Sequence, residues 1–99
     1  MVQNRDQIIS IIGQNKQALR SYGVRRLGLF GSFSRNQATA SSDLDFLVEL
    51  EKKTFDAYMG LKIFLEDLFQ CRVDLVLSDS LKTRLRDKII QETVYVPGL

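Results

Sequence analysis

Leu44, Phe46, Val48 and Leu50 alternate with Asp43, Asp45 and Glu49. A period of two sends one set of side chains to one face of a strand and the other set to the opposite face; a helix would scatter them around its circumference. The segment is therefore a strand, with one face apolar and acids on the other. Val73, Leu75 and Leu77 repeat the pattern around Asp74. Between the two lies a different period. After a Thr54 cap, Phe55, Tyr58, Leu61, Phe64, Leu65, Leu68 and Phe69 recur at three- and four-residue spacing, the broad apolar face of a long helix.

The flanks follow the same rules. Ile8, Ile11, Ile12, Ala18, Leu19 and Tyr22 predict one amphipathic helix over Asn4 to Tyr22, capped by Asn4 with Gln7 and stopped by Gly23. Arg26 to Phe30 reads as a short strand closed by Gly31-Ser32, and the polar stretch Ser34 to Ser42 as a helical turn and a loop. Asp79-Ser80 is a cap signal for a last helix carrying Leu81, Leu85 and Ile89, and Val94-Tyr95-Val96 predicts a short edge strand before Pro97-Gly98. The order predicts an α/β (α+β) fold: a small mixed sheet of three to four strands flanked by helices. Ninety-nine residues fit a single domain, 1–99.

Composition removes several classes of chemistry. The chain has no histidine and a single cysteine, Cys71. Ser-His and Cys-His nucleophile systems, an internal disulfide and a Cys-cluster zinc site are thereby excluded. A metal here would be held by oxygen. Fourteen basic against 12 acidic residues leave a formal charge of +2, too balanced for bulk electrostatic binding of nucleic acid or a membrane surface. No apolar run reaches the ~20 residues of a bilayer span. Asp6, Gln14 and Lys16 interrupt what would be the apolar region of a signal peptide, so the expected location is the cytoplasm.

What remains is carboxylate chemistry. Asp43 and Asp45, two apart on a strand, leave the same face. Asp74 sits mid-strand in Arg72-Val-Asp-Leu-Val, where an unpaired acid is costly. If those two strands are sheet neighbours the three acids meet, and converging carboxylates call for a hard cation, Mg2+ or Mn2+, with positions left open for phosphate. Gly31-Ser32 can bring backbone and a hydroxyl close to an anion, and Arg35 suits bidentate phosphate contact. Singly, each feature has an ordinary reading: a Gly-Ser after a strand is commonly a turn, Asp-Leu-Asp a solvated strand end, and Asp74 half of an ion pair. The combination is much more specific.

Gly31-Ser32, Asp43-Leu-Asp45 and Asp74 resemble the signature of the DNA polymerase beta-like nucleotidyltransferase superfamily. Leu29-Phe-Gly-Ser-Phe-Ser-Arg-Asn-Gln-Ala, Ser42-Asp-Leu-Asp-Phe-Leu-Val-Glu-Leu, Arg72-Val-Asp-Leu-Val and Ile89-Ile-Gln-Glu-Thr-Val-Tyr-Val extend the resemblance to the minimal (MntA-type) nucleotidyltransferases over nearly the whole chain. The resemblance implies a nucleotidyltransferase fold. It implies that Asp43 and Asp45 bind two Mg2+ ions carrying the triphosphate of ATP. Asp74 would complete one metal site and help activate the attacking hydroxyl, while Gly31 and Ser32 hold phosphates. It further implies an antitoxin that transfers AMP from ATP to a tyrosine of a HEPN ribonuclease toxin. One departure is visible: Arg35-Asn36-Gln37-Ala38 stands where family members usually have Arg-Gly-Glu-Ala. Asparagine tolerates the positive φ of glycine, but Gln37 lacks a negative charge.

Size agrees with a protein acceptor, because 99 residues leave no room for a second, acceptor-binding domain. The same reasoning disfavours a small-molecule acceptor such as an aminoglycoside. Two classes of function stand side by side: catalytic modification of the partner, and a non-catalytic subunit that neutralises the partner by steric contact. Uncovered apolar helix surface favours a hetero-oligomer, or a homodimer for the chain alone. The remaining features have simpler expectations. Lys82, Arg84, Arg86 and Lys88, interspersed with Asp79, Asp87 and Glu92, read as a solvated, salt-bridged helix face. Lys52-Lys53 reads as a loop, Cys71 as a small buried hydrophobe, and Phe55, Tyr58, Phe64 and Phe69 as core rather than an adenine stack.

Overall fold

Asn4 opens the first helix with a reciprocal cap: its side-chain oxygen accepts the Gln7 amide at 2.9 Å, and the Gln7 side chain accepts the Asn4 amide at 3.1 Å. The computed structural model describes residues 4–35 and 43–99. Where one helix is expected over Asn4 to Tyr22, there are two, α1 (Arg5–Gly13) and α2 (Lys16–Ser21). The break has a local cause. The Asn15 side-chain amide donates to the Ile11 carbonyl at 2.8 Å, taking the acceptor that its own backbone amide would use in a continuous helix. That backbone amide turns to Ile12 instead, at 2.9 Å, two residues after Gly13, a poor helix former. The apolar stripe survives the break, with Ile8, Ile12 and Leu19 fully buried.

Gly23, at φ +83°, ends α2 and leads into β1 (Val24–Phe30), which starts two residues earlier than the apolar run suggested. A register shift between Val24 and Arg26 accommodates the extra residue. β2 (Leu44–Leu50), α3 (Phe55–Phe69), β3 (Val73–Leu77), a 3-10 turn (Ser78–Ser80), α4 (Thr83–Glu92) and β4 (Val94–Tyr95) follow. The sheet order is β3-β2-β1-β4, with β2 and β3 parallel and the other neighbours antiparallel. This is the expected mixed sheet, and α3 is the crossover that a parallel pair requires. Thr54 caps α3 by accepting the Ala57 amide at 3.1 Å, and Gln70 closes it in the left-handed region.

One face of the sheet makes the core. Leu27 and Leu29 of β1, Leu44, Phe46, Val48 and Leu50 of β2, and Val73 and Leu75 of β3 pack against Ile8, Ile12, Leu19, Leu61, Leu65 and Phe69 of the helices. The opposite face carries Phe30, Asp45, Leu47, Asp74 and Val76, by the alternation of each strand. Leu47 is only 1 % exposed yet stands outside the main core cluster. Among the described residues, no helix is long and apolar enough to cross a membrane.

Three expectations need correcting. Phe55 is not core: it is 76 % exposed at the start of α3, whereas Phe69 is buried against Phe46, Phe64 meets Tyr22, and the Tyr58 hydroxyl donates to the Leu75 carbonyl at 2.6 Å. Asp79-Ser80 do not cap α4. They lie in the 3-10 turn, and α4 begins after Lys82 with no side-chain cap, because the chain is extended at Leu81 and Lys82. The basic face of α4 is exposed but, among the described residues, not ion-paired to its neighbours: Asp79 pairs with Lys53 and Glu92 with Arg35.

Candidate functional site

The site forms where parallel strands align their acids. Asp45 of β2 and Asp74 of β3 are direct register partners, so their Cα atoms sit about one strand spacing apart (~4.8 Å) and their side chains leave the same face. Asp43 immediately precedes β2, two residues before Asp45, and the Leu44 amide bonds to the Arg72 carbonyl at 3.0 Å, carrying the ladder to this end. Asp43 and Asp74 are exposed and Asp45 half-buried.

On the other side of Asp45 stands β1, whose last residue, Phe30, is its register partner. Gly31 follows at φ +77°, and a Cβ there would lie 2.2 Å from Asp45 Oδ2. Both the backbone conformation and the space demand glycine. Residues 31–35 form a tight turn: the Arg35 amide donates to the Gly31 carbonyl at 3.3 Å and the Ser34 hydroxyl donates to the same oxygen at 2.8 Å. Buried Phe33 and Ser34 anchor the turn, and Arg5 of α1 donates to the Ser34 carbonyl at 3.0 Å. Ser32 is half-buried beside Gly31, and Arg35 is exposed. Asn36 and Gln37, where the chain departs from the family pattern, lie outside the described residues, as does Ser42.

Burial, and then the charges of Asp74, Asp43 and Glu92, push the Asp45 carboxyl up to about 6, against a lowering contribution from Arg35. An acid so placed lacks positive charge, which a cation would supply. Among the described residues, no three acidic or thiol side chains converge tightly enough to enclose an ion by themselves. The donors present are oxygens only, a set that suits magnesium completed by water and phosphate.

Two features escaped the sequence reading. The Glu92 carboxylate accepts the Gly31 amide at 3.3 Å and the Arg35 guanidinium at 2.7 Å. An acid on the last turn of a helix, where the dipole disfavours it, was the available signal. The second is an open cavity of about 300 Å3 lined by Asp43, Lys62, Glu66, Arg72, Val73 and Asp74. Glu66 is tied down by the Val73 amide at 3.2 Å, while Lys62 and Arg72 have no ion pair among the described residues. No sequence period connects Lys62 on α3 with Arg72 before β3; the packing of helix on strand does.

Comparison with known proteins agrees with this geometry. The Nucleotidyltransferase domain family matches residues 8–96. The chain is 40% identical over 93 residues to the protein adenylyltransferase MntA of Thermococcus cleftensis, covering 92% of this chain and 94% of that protein. Among solved structures, a chain assigned as a minimal nucleotidyltransferase superposes with a TM-score of 0.72 at 34% identity, covering 87% of this chain and 93% of the other. A toxin–antitoxin crystal structure with AMP-PNP superposes with a TM-score of 0.71 at 25% identity, covering 98% of this chain and 75% of that one. With the sheet order, the aligned acids and the glycine turn in place, the chain belongs to the nucleotidyltransferase domain family, in its minimal, MntA-like branch.

Proposed function

We propose that this chain transfers AMP from ATP to a hydroxyl, that of a tyrosine, on a HEPN ribonuclease toxin, and by doing so acts in the cytoplasm as its antitoxin. The observation that carries the reading is the register pairing of Asp45 with Asp74 beside the Gly31 turn. The likeness to a protein named as an adenylyltransferase supports the reaction, and the likeness to a toxin–antitoxin structure with an ATP analogue supports both nucleotide and partner.

Asp43, Asp45 and Asp74 would hold two Mg2+ ions, which when bound neutralise the triphosphate and polarise the reacting phosphate. The chain's own residues do the rest. The turn at Gly31 and Ser32, with Arg35, holds the phosphates that leave as pyrophosphate. Asp74, exposed on the side of the cavity, accepts the proton of the acceptor hydroxyl. The acceptor oxygen bonds to the α-phosphorus as the bond to the bridging oxygen breaks, and pyrophosphate leaves. Positioning and charge stabilisation carry most of such a step. The cavity beside Asp43 and Asp74 is the approach for the acceptor, with Lys62 and Arg72 on its wall. Reversing both charges (Lys62→Glu with Arg72→Glu) should raise the KM for the protein acceptor about tenfold or more, with the KM for ATP within twofold of wild type. Initial rates over a range of acceptor concentrations check this.

The test of the reaction is incubation of the purified chain and its toxin with ATP labelled at the α-phosphate and Mg2+. Label on the toxin, lost on chelation of the metal, supports the reading; none refutes it. The second reading, neutralisation by contact alone, is favoured by Asn36 and Gln37 in place of the family's glycine and glutamate. An Asp43→Ala, Asp45→Ala double variant that still protects cells from the toxin supports contact, whereas lost protection with an intact complex supports catalysis.

A further inference from the structure

Glu92 is the last residue of α4, where the helix end carries partial negative charge and an acidic side chain is disfavoured. Its side chain is nevertheless withdrawn from solvent, at 21 % exposure, and used twice. Oε1 accepts the Gly31 amide at 3.3 Å, and Oε2 accepts Arg35 Nη1 at 2.7 Å. These donors mark the first and last residues of one turn, and Glu92 reaches them from 61 and 57 residues away in the chain. Gly31 has no freedom on its other side, where Asp45 Oδ2 occupies the space a Cβ would need. From within, the Ser34 hydroxyl and the Arg35 amide both draw on the Gly31 carbonyl. One carboxylate thus ties together the two ends of the turn beside Asp45 and takes a hydrogen bond from the Arg35 guanidinium.

We infer that Glu92 is a positioning residue for nucleotidyl transfer: through the Gly31 amide and Arg35 it holds the turn at the height over Asp45 that the nucleotide phosphates require. Its kinetic consequence rests on the transferase reading above; its geometric consequence does not. Removing Glu92 loosens the turn, whereas replacing it by glutamine keeps an acceptor for Gly31 and breaks the ion pair that orients Arg35.

The experiment uses the full chain with Glu92→Ala and Glu92→Gln, read by hydrogen exchange at the Gly31 amide and by the KM for ATP and kcat of transfer. For Glu92→Ala the expected result is Gly31 exchange faster by about tenfold and a KM for ATP raised about tenfold, with the melting temperature close to wild type. For Glu92→Gln, Gly31 stays protected and the KM for ATP rises about threefold or more. A Glu92→Ala chain that keeps wild-type Gly31 protection overturns the inference, as does one whose KM and kcat stay within twofold of wild type. If Glu92→Ala does not fold, Glu92→Gln decides on the same scale: a wild-type KM overturns the inference and a raised one supports it. A wild-type chain that labels no acceptor refutes the transferase reading instead, and Gly31 exchange then decides the placement of the turn.

Discussion

Asp45→Asn should reduce nucleotidyl transfer by about 10^2–10^3-fold or more and, in the absence of divalent cation, make the protein more stable at neutral pH. The two effects have one origin. Asp45 is half-buried among Asp74, Asp43 and Glu92, and its carboxyl titrates near 6 rather than at its ordinary 3.8. A raised carboxyl favours the folded state only while protonated. Below about pH 4 both folded and unfolded chains hold the proton and nothing is lost. As pH rises from 4 to 6 the unfolded chain gives up its proton first, and above 6 the folded protein carries the full cost of a crowded anion. Asparagine removes that cost, so the gain in melting temperature should be present at pH 7.5 and vanish near pH 4. Calorimetric scans of both proteins without metal, at the two pH values, check the sign. The charge that destabilises the metal-free protein is the one a cation would need, so under the proposed function the same substitution also lowers activity. For wild type, divalent-cation affinity should fall about tenfold for each pH unit below 6, since binding must expel the Asp45 proton; titration calorimetry between pH 5 and 7 measures it.

Gly31→Ala should be almost as damaging to activity and, unlike Asp45→Asn, should destabilise the fold, by about 2–4 kcal/mol. Part of this is conformational: at φ +77° an L-residue with a Cβ costs about 1–2 kcal/mol. The rest is spatial, because the new methyl would lie 2.2 Å from Asp45 Oδ2 and 3.0 Å from its Cγ. Either the turn lifts or Asp45 leaves its rotamer, and both separate the glycine turn from the acids. A double-mutant cycle resolves the two parts. In an Asp45→Gly background the methyl meets no carboxylate, so the cost of Gly31→Ala should shrink to the conformational part. Equal costs in both backgrounds, by urea denaturation, would show that the clash is relieved elsewhere.

Much of this arrangement was legible from spacing. Alternation around Asp43, Asp45 and Asp74 set each acid opposite the core face, since burying Leu44, Phe46 and Val48 in one segment and Val73 and Leu75 in the other leaves the intervening positions no other direction. The sheet class and the edge strand at Val94 followed from the same period. Adjacency of β2 and β3 did not, because a strand pattern says which side chains share a face and not which strands are neighbours. The break at Asn15 was missed because the apolar stripe runs through it; the deciding bond, from the Asn15 side chain to Ile11, leaves no periodic trace. The exposure of Phe55 was missed because helical spacing does not register where the sheet stops covering the helix. Glu92 lay in plain view as one acid among many, and only its tertiary partners distinguish it from Asp87.

The order of the strands also bears on synthesis. A nascent chain emerges with Gly31, Asp43 and Asp45 already translated, yet β2 has no parallel neighbour until α3 and β3 have cleared the ribosome. The outer edge of β1 stays open still longer, until β4, which follows Glu92 in the chain, is made. A nascent chain that stops short of β3 therefore lacks the register partner of Asp45, and one that stops short of α4 lacks the Glu92 bonds to Gly31 and Arg35.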